Sequence, residues 1–364
     1  MPEVIVVGGG VIGCATAYYL ARDGIDVAVM ERDEVASGAS SAAAGILASL
    51  STHGDHPAFY DRLCEDSLEL FDGLLPVLQE TGIDVRHRSI GMLEVAVTQD
   101  DVSGLKRQYE QQREKTTWLD GDEAQRLEPG LSPETLAAIL TPNIRYLDPQ
   151  RLTQAFAAAA RKAGATIREH EPVTRFLRRG NRLRGVQTSR QTYEADAIVI
   201  AGGPWSTALA NKLGANIPVR PVRGQMLSLD GPAVELTHLI HGYRAFALPR
   251  EDNQTYVGAT VEEAGYRKRT TVAGLATLRH EAEVLIPSLA KAKQRRAWAG
   301  LRPGTPDNLP ILGRLPNWQN AWVSSGHFRT GILLSPITAK LMAQAITKDS
   351  EGVLPPELSP SRFA

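Results

Sequence analysis

The chain is poor in cysteine: 364 residues include two, Cys14 and Cys64. Without a C-x-x-C spacing, two thiols support neither a disulfide framework nor a metal centre, so both read as packing residues of helices. Long apolar runs are missing as well. Stretches such as Ala197 to Ala201 fall far short of the ~20 residues that a membrane span needs, so no membrane partner is expected. Nor is there an excess of one charge. Forty basic residues against 41 acidic ones leave a formal charge of -1, which excludes a global field that recruits nucleic acid or an anionic surface, and a small-molecule substrate is expected. Met1 leads almost directly into an apolar strand with no basic-then-apolar leader, from which a cytoplasmic location is expected.

What the chain does have is a nucleotide clamp at its start. Val4-Ile5-Val6-Val7 is an apolar strand, and Gly8-Gly9-Gly10-Val11-Ile12-Gly13 is a G-x-G-x-x-G turn that opens a helix over Val11 to Asp23. Gly8 suits the tight turn, Gly10 a close approach of backbone to pyrophosphate, and Gly13 the packing of helix on strand. The free N–H groups at the helix start then face the phosphates. Gly24 closes the helix, Ile25 to Met30 reads as a second strand, and Glu31 at its end is placed to bind a ribose hydroxyl. The small-residue run from Ser37 to Ile46 has no helical or strand periodicity and suits backbone lying against the rest of a long dinucleotide.

At this length two domains are expected. Asp55 and Pro57 open a helix with the apolar stripe Phe59, Leu63, Leu70, Phe71, Leu74 and Leu78. Ile90 to Val97 reads as a strand and Gln99 to Lys115 as a surface helix behind Thr98. Asp148 as N-cap with Pro149 starts a further helix that Gly164 stops. Extended segments around Ile167, Val173 to Leu177 and Leu183 to Thr188 lead to the stretch Asp196 to Trp205, whose apolar strand ends in glycines and suits a buried parallel sheet. Val219 to Leu229, Ala245 to Leu248 and Thr255 to Ala259 read as antiparallel strands with a helix over Val272 to Ile286. Ala297 to Leu301, Ala321 to Ser325 and a helix over Ser335 to Ile346 return to the first domain. The tail from Gly352, with its prolines, reads as loosely structured. The fold class is α/β: a Rossmann-type nucleotide domain, with a second, α+β domain built on an antiparallel sheet covered by helices.

These motifs carry a resemblance over nearly the whole chain. V-V-G-G-G-V-I-G near the start, Glu31-Arg32, S-S-A-A-A-G-I at Ser40 to Ile46 and A-G-G-P-W at Ala201 to Trp205 are joined by two more specific stretches, W-A-G-L-R-P-G-T-P-D (Trp298 to Asp307) and G-H-F-R-T-G-I-L-L-S-P (Gly326 to Pro336). The chain resembles the glycine oxidase and D-amino acid oxidase family of flavoproteins, most of all the bacterial glycine oxidases of thiamine biosynthesis. The resemblance implies non-covalent FAD in a discontinuous domain (1–85, 145–217 and 300–364), a substrate domain (86–144 and 218–299), and a homo-oligomer, often a homotetramer. It places FAD against Gly8, Gly10, Val11, Ile12, Gly13, Glu31, Arg32, Ser40, Ser41, Ala44, Gly45, Ile46, Val173, Ala201, Gly202, Trp205, Arg302, His327, Arg329, Thr330, Gly331 and Ile332. It places substrate against Arg302, Arg329, Phe246, Tyr243 and Ile46. The implied reaction is hydride transfer from glycine, sarcosine, an N-substituted glycine or a small D-amino acid to the flavin, with O2 reduced to H2O2 and the imine hydrolysed.

The planar fork of Arg302 suits an amino-acid carboxylate, and the positive end of the last helix suits negative charge on the flavin's pyrimidine side. Two features depart from the family pattern. Phe246 stands where relatives often carry a tyrosine hydroxyl, with Tyr243 or Arg244 as replacements. No cysteine follows Cys64, so the covalent flavin link of the sarcosine oxidases is not expected. His53 with His56 and His238 with His241 are three apart, but neither pair sits in convincing helix or beside carboxylates, and no metal is expected. The basic run from Arg175 to Arg184 reads as a solvated hairpin edge. Competing readings are a flavin dehydrogenase that passes electrons to a quinone, a nicotinamide-dependent dehydrogenase, and a non-catalytic flavin-binding subunit.

Overall fold

The computed structural model describes residues 3–48 and 57–363; Asp55, His53 and His56, singled out in the sequence, lie outside them. In chain order the elements are β1 (Val4–Val7), α1 (Val11–Arg22), β2 (Val27–Met30), β3 (Ile46–Leu47), α2 (Ala58–Gln79), β4 (Arg88–Ala96), α3 (Gln99–Gln112), β5 (Thr117–Asp120), α4 (Gly121–Leu127), β6 (Ala137–Tyr146), α5 (Pro149–Lys162), β7 (Thr166–Arg168), β8 (Val173–Arg179), β9 (Arg182–Thr188) and β10 (Thr192–Glu194). They continue with β11 (Ala197–Ile200), α6 (Ser206–Asn211), β12 (Arg220–Asp230), β13 (His238–His241), β14 (Phe246–Pro249), β15 (Gln254–Gly258), α7 (Val272–Leu285), β16 (Gln294–Gly304), β17 (Ile311–Arg314), β18 (Ala321–Ser325) and α8 (Ser335–Thr347). The chain divides into a unit of Met1–Arg86, Leu147–Val222 and Leu301–Ala364 and a unit of His87–Tyr146 and Arg223–Gly300.

The first unit is organised on the sheet β17-β18-β11-β1-β2-β7, parallel except for β17. Both faces of its middle strands are covered, and the alternation of side chains shows how. Val4 and Val6 enter a core with α1, α2, α5 and α8, while Ile5 and Val7 enter a second core under β8, β9, β10 and α6. Val27 and Val29 follow the first pair, and Ala28 and Met30 the second. A strand buried on both faces has no polar positions, which is why β1, β2 and β11 are continuous apolar runs. Asp148 caps α5 by accepting from the N–H groups of Gln150 and Arg151, each at 3.0 Å, so that helix begins where the sequence places it.

The tail is a correction. Composition reads it as loose, yet Leu354 and Leu358 are buried and the Arg362 guanidinium donates to Asp307 at 2.9 Å. Its apolar residues find partners far away in the chain, which local composition does not show.

The second unit carries a sheet in the order β16-β12-β15-β14-β13-β4-β6, with β5 beside β6. One side packs Leu93, Leu227, Leu229, Ile240 and Val257 against Leu278, Ala282 and Leu285 of α7. The expected antiparallel strands pair as such, β12 with β15 and β14 with β15, while β13 lies parallel to β4, His241 beside Glu94. The two strands come from separate chain segments, so no hairpin sets their direction. Among the described residues no helix is long and apolar enough to cross a membrane.

Candidate functional site

The glycine turn of the first unit separates into structural and open positions. Gly8 has φ +119°, and a Cβ there would lie 2.4 Å from the Ala201 carbonyl oxygen at the end of β11. A Cβ on Gly13 would lie 2.0 Å from the Gly8 carbonyl oxygen. Both glycines are therefore demanded by packing. Gly10 differs, because a Cβ there would meet only the Ser40 hydroxyl, at 3.4 Å. The space beside Gly10 is open.

Ser40 Oγ accepts from the Val11 N–H at 2.9 Å. The N–H groups of Gly10, Ile12 and Gly13 have no protein acceptor among the described residues. Donors at a helix start beside an uncrowded glycine are the arrangement that takes a pyrophosphate. The turn is also tied to the end of β2: the Gly9 N–H donates to Glu31 Oε2 at 2.6 Å, and the Asp33 N–H donates to Glu31 Oε1 at 2.8 Å. A carboxylate has about four lone-pair sites, so Glu31 keeps acceptor capacity for a ribose hydroxyl.

The other predicted cofactor residues of this unit fall into two groups. Arg32 is exposed, bonds to Asp33 at 2.8 Å, and lies over the Trp205 ring at 4.5 Å, which makes a cationic and aromatic wall past the end of β2. Ala201 is buried at the end of β11 and Gly202 follows it, with Val173 half-buried at the start of β8. Ser41 Oγ donates to the Gly38 carbonyl at 3.3 Å, and Ala44 and Ile46 are half-buried. Gly45 has a local reason of its own: at φ +84° a Cβ would lie 2.0 Å from the Leu147 carbonyl oxygen.

The C-terminal motifs meet through their backbones. Arg302 is half-buried near the end of β16, and its neighbour Pro303 accepts from the Phe328 N–H at 2.9 Å. That bond brings the strand end carrying Arg302 to the turn carrying His327, Arg329, Thr330, Gly331 and Ile332. His327 is buried, contacts Thr338 Oγ1 through Nε2 at 3.1 Å, and is held neutral because burial pushes its pKa down to about 3. It is a structural residue of the turn, while Arg329 is exposed. The carbonyls of His327, Thr330, Ile332 and Leu333 are all engaged within the protein. By contrast the N–H groups of Arg329, Gly331, Ile332 and Leu333 have no protein acceptor among the described residues. The turn before α8 is thus a set of unsatisfied donors at the positive end of a helix, suited to a site of developing negative charge.

Sequence reading missed two residues that hold this turn. Tyr60 OH and Thr330 Oγ1 are 2.6 Å apart, and Ser67 Oγ donates to the Leu333 carbonyl at 2.6 Å. The available signal was their spacing of seven on the same stripe of α2 as Leu63, Phe71, Leu74 and Leu78.

In the second unit, Phe246 is half-buried in β14, opposite His241 and Gly258. Tyr243 is 75% exposed, and Arg244 pairs with Glu281 of α7 at 3.5 Å. The expectation that the histidines lack carboxylate partners is corrected at His238, whose Nδ1 lies 2.9 Å from Glu128. Glu128 also accepts the backbone N–H groups of Thr237 and His238, each at 3.0 Å, so it anchors the start of β13. Among the described residues no group of three metal ligands occurs, and His238 and His241, three apart on one strand, point to opposite faces.

Residues 3–345 match the family described as FAD dependent oxidoreductase. The chain is 34% identical over 352 residues to a glycine oxidase of Geobacillus kaustophilus (strain HTA426), covering 95% of this chain and 93% of that one. It is 32% identical over 345 residues to a glycine oxidase of Bacillus subtilis (strain 168), covering 94% and 92%. The crystal structure of a glycine oxidase from Geobacillus kaustophilus superposes with a TM-score of 0.93 at 32% identity, covering 99% of this chain and 98% of that one. A family match over nearly the whole chain, on a fold whose glycine turn leaves room and donors for a pyrophosphate, makes this protein an enzyme of the FAD-dependent oxidoreductase family.

Proposed function

We propose that the enzyme oxidises glycine or a related small amino acid, such as sarcosine, another N-substituted glycine or a small D-amino acid, with O2 as electron acceptor. The observation that carries this reading is the backbone bond from Phe328 to Pro303, which sets Arg302 beside a turn of free amide donors. Relatives named glycine oxidase, sharing about a third of their residues over nearly their whole length, support the same reading.

FAD, when bound, would supply the hydride acceptor and, once reduced, the electrons that convert O2 to H2O2. The rest of the chemistry is positioning by this chain. Gly10, Ile12 and Gly13 offer N–H groups to the phosphates and Glu31 accepts from a ribose hydroxyl. Arg302 holds the substrate carboxylate by two charge-assisted bonds, which orients the Cα–H for transfer. The turn from His327 to Leu333 supplies donors where negative charge develops. His327 does not serve as a base, because it is buried, neutral and engaged by Thr338. A substrate that binds with its amine neutral needs no base, and the imine it yields hydrolyses in water. Phe246, in place of a hydroxyl, is proposed as the apolar contact that favours an N-alkyl group over bare glycine, by ~0.8 kcal/mol per methylene buried.

Peroxide release across glycine, N-methyl, N-ethyl and longer N-alkyl glycines and both alanine enantiomers tests the proposal. Turnover of glycine derivatives and of D-alanine above L-alanine is the expected result. Flavin reduction without peroxide, restored by a quinone-like acceptor, would make the enzyme a dehydrogenase. No reduction by any glycine derivative would overturn the substrate class.

A further inference from the structure

We infer that Tyr60 is a positioning residue for the reaction: acting through Thr330, it fixes the turn whose amides meet the pyrimidine side of the cofactor. The inference rests on the proposed function, in which that turn faces FAD.

The carbonyl bonds fix the direction of the rest. Thr330 Oγ1 donates to the His327 carbonyl at 2.9 Å, so toward Tyr60 it presents a lone pair, and the Tyr60 hydroxyl at 2.6 Å is the donor. The result is a relay from Tyr60 OH to Thr330 Oγ1 to the His327 carbonyl. The Thr330 N–H also donates to that carbonyl at 2.9 Å, and the Leu334 N–H to the Thr330 carbonyl at 2.8 Å. Two turns further along α2, Ser67 Oγ donates to the Leu333 carbonyl and accepts from the Ile337 N–H at 3.4 Å. Helix α2 therefore grips both ends of the segment that exposes the amides of Arg329, Gly331, Ile332 and Leu333.

Tyr60 is 2% exposed and its ring stands edge-on to Phe59 at 6.4 Å. Its oxygen makes the bond to Thr330. Buried hydroxyls that bond to a loop restrict it to one arrangement, and donors held in place stabilise charge better than donors that must reorganise.

The test uses the FAD-loaded enzyme and two readouts that turnover does not enter: the sulfite dissociation constant, read from bleaching of the visible flavin band, and the flavin midpoint potential. Tyr60→Phe is expected to weaken sulfite binding about three- to tenfold and lower the potential, from loss of one hydrogen bond. Thr330→Val should do the same or more, because it removes the oxygen that joins the Tyr60 hydroxyl to the His327 carbonyl. The double variant should be no weaker than Thr330→Val, since both changes break one relay. Thr330→Ser, which keeps the hydroxyl, should stay within about twofold of the wild type. Tyr60→Phe within about twofold of wild type, or single effects that multiply in the double variant, would overturn the inference. A wild-type holoenzyme that binds no sulfite would overturn the reading of the turn itself, and the inference with it.

Discussion

The Gly9 amide donates to Glu31 Oε2 across 2.6 Å, which fastens the middle of the glycine turn to the residue that ends β2. The approach is close: a Cβ on Gly9 would sit 3.0 Å from Glu31 Cβ. Glu31 therefore has two tasks, to hold the turn and to receive a ribose hydroxyl with the lone pairs left over. Glu31→Gln keeps the shape but turns one acceptor into a donor that faces backbone N–H groups. The expected result is FAD binding weaker by about tenfold or more, read by titrating the apoprotein with FAD. Unchanged affinity would show that the ribose is held elsewhere.

Two glycines of the same turn should fail in different ways. Gly10→Val places a branched side chain where the fold has room, so the protein should fold with native circular dichroism and retain no flavin. Gly13→Ala places a methyl group 2.0 Å from the Gly8 carbonyl oxygen and should lower the melting temperature whether or not flavin is added. A flavin-replete Gly10→Val variant would mean that the pyrophosphate lies away from Gly10.

The first strand, its glycine turn and the following helix were legible because three features point the same way: a continuous apolar run, glycines where Cβ atoms collide, and an acidic residue at the next strand end. Arg302 was legible through the motif around it. Tyr60 and Ser67 were not, because a hydroxyl inside an apolar stripe looks the same whether it meets water or a distant carbonyl. The short strand β13 escaped for a related reason. His238–His241 has too few residues to show a period, and it is a strand because β4 and β14 flank it. The packed tail depends on Asp307, fifty-five positions before Arg362, a separation no local pattern spans.

The flavin should be released by acid. Cys14 and Cys64 are buried, and burial pushes both thiols up to about 12, so neither supplies a thiolate for a covalent link. After acid precipitation all the yellow colour should stay in the supernatant, and colour in the pellet would contradict this.

Arg302→Ala should reduce kcat/KM by about 100-fold or more, the cost of two charge-assisted hydrogen bonds to a carboxylate. Flavin content and the visible spectrum should hardly change. Activity within a few-fold of wild type would move the carboxylate to another cation, with Arg329 as the next to test.

The pH dependence of stability should carry two opposed contributions, one in each unit. His327 has its pKa pushed from 6.5 down to about 3 by burial, so between those values the unfolded chain binds a proton that the folded chain refuses. Its contribution is intact above 6.5 and is lost as pH falls. Glu94, 2% exposed and bonded by Gln108 Nε2 at 2.7 Å, has its pKa raised by burial from 4.5 to about 7. The folded chain keeps a proton there that the unfolded chain gives up, so this contribution is intact below 4.5 and is lost as pH rises through about 7. Glu94→Gln makes the site permanently neutral while the carbonyl still accepts from Gln108. The variant should therefore melt higher than wild type at pH 8, by a few degrees for a gain of about 1 to 3 kcal/mol, and should match it near pH 4.5. Both proteins should share the acid limb that His327 contributes. Melting curves for the two that stay parallel from pH 4.5 to 8 would show that Glu94 is ionised in the folded protein and that its burial is relieved by another donor.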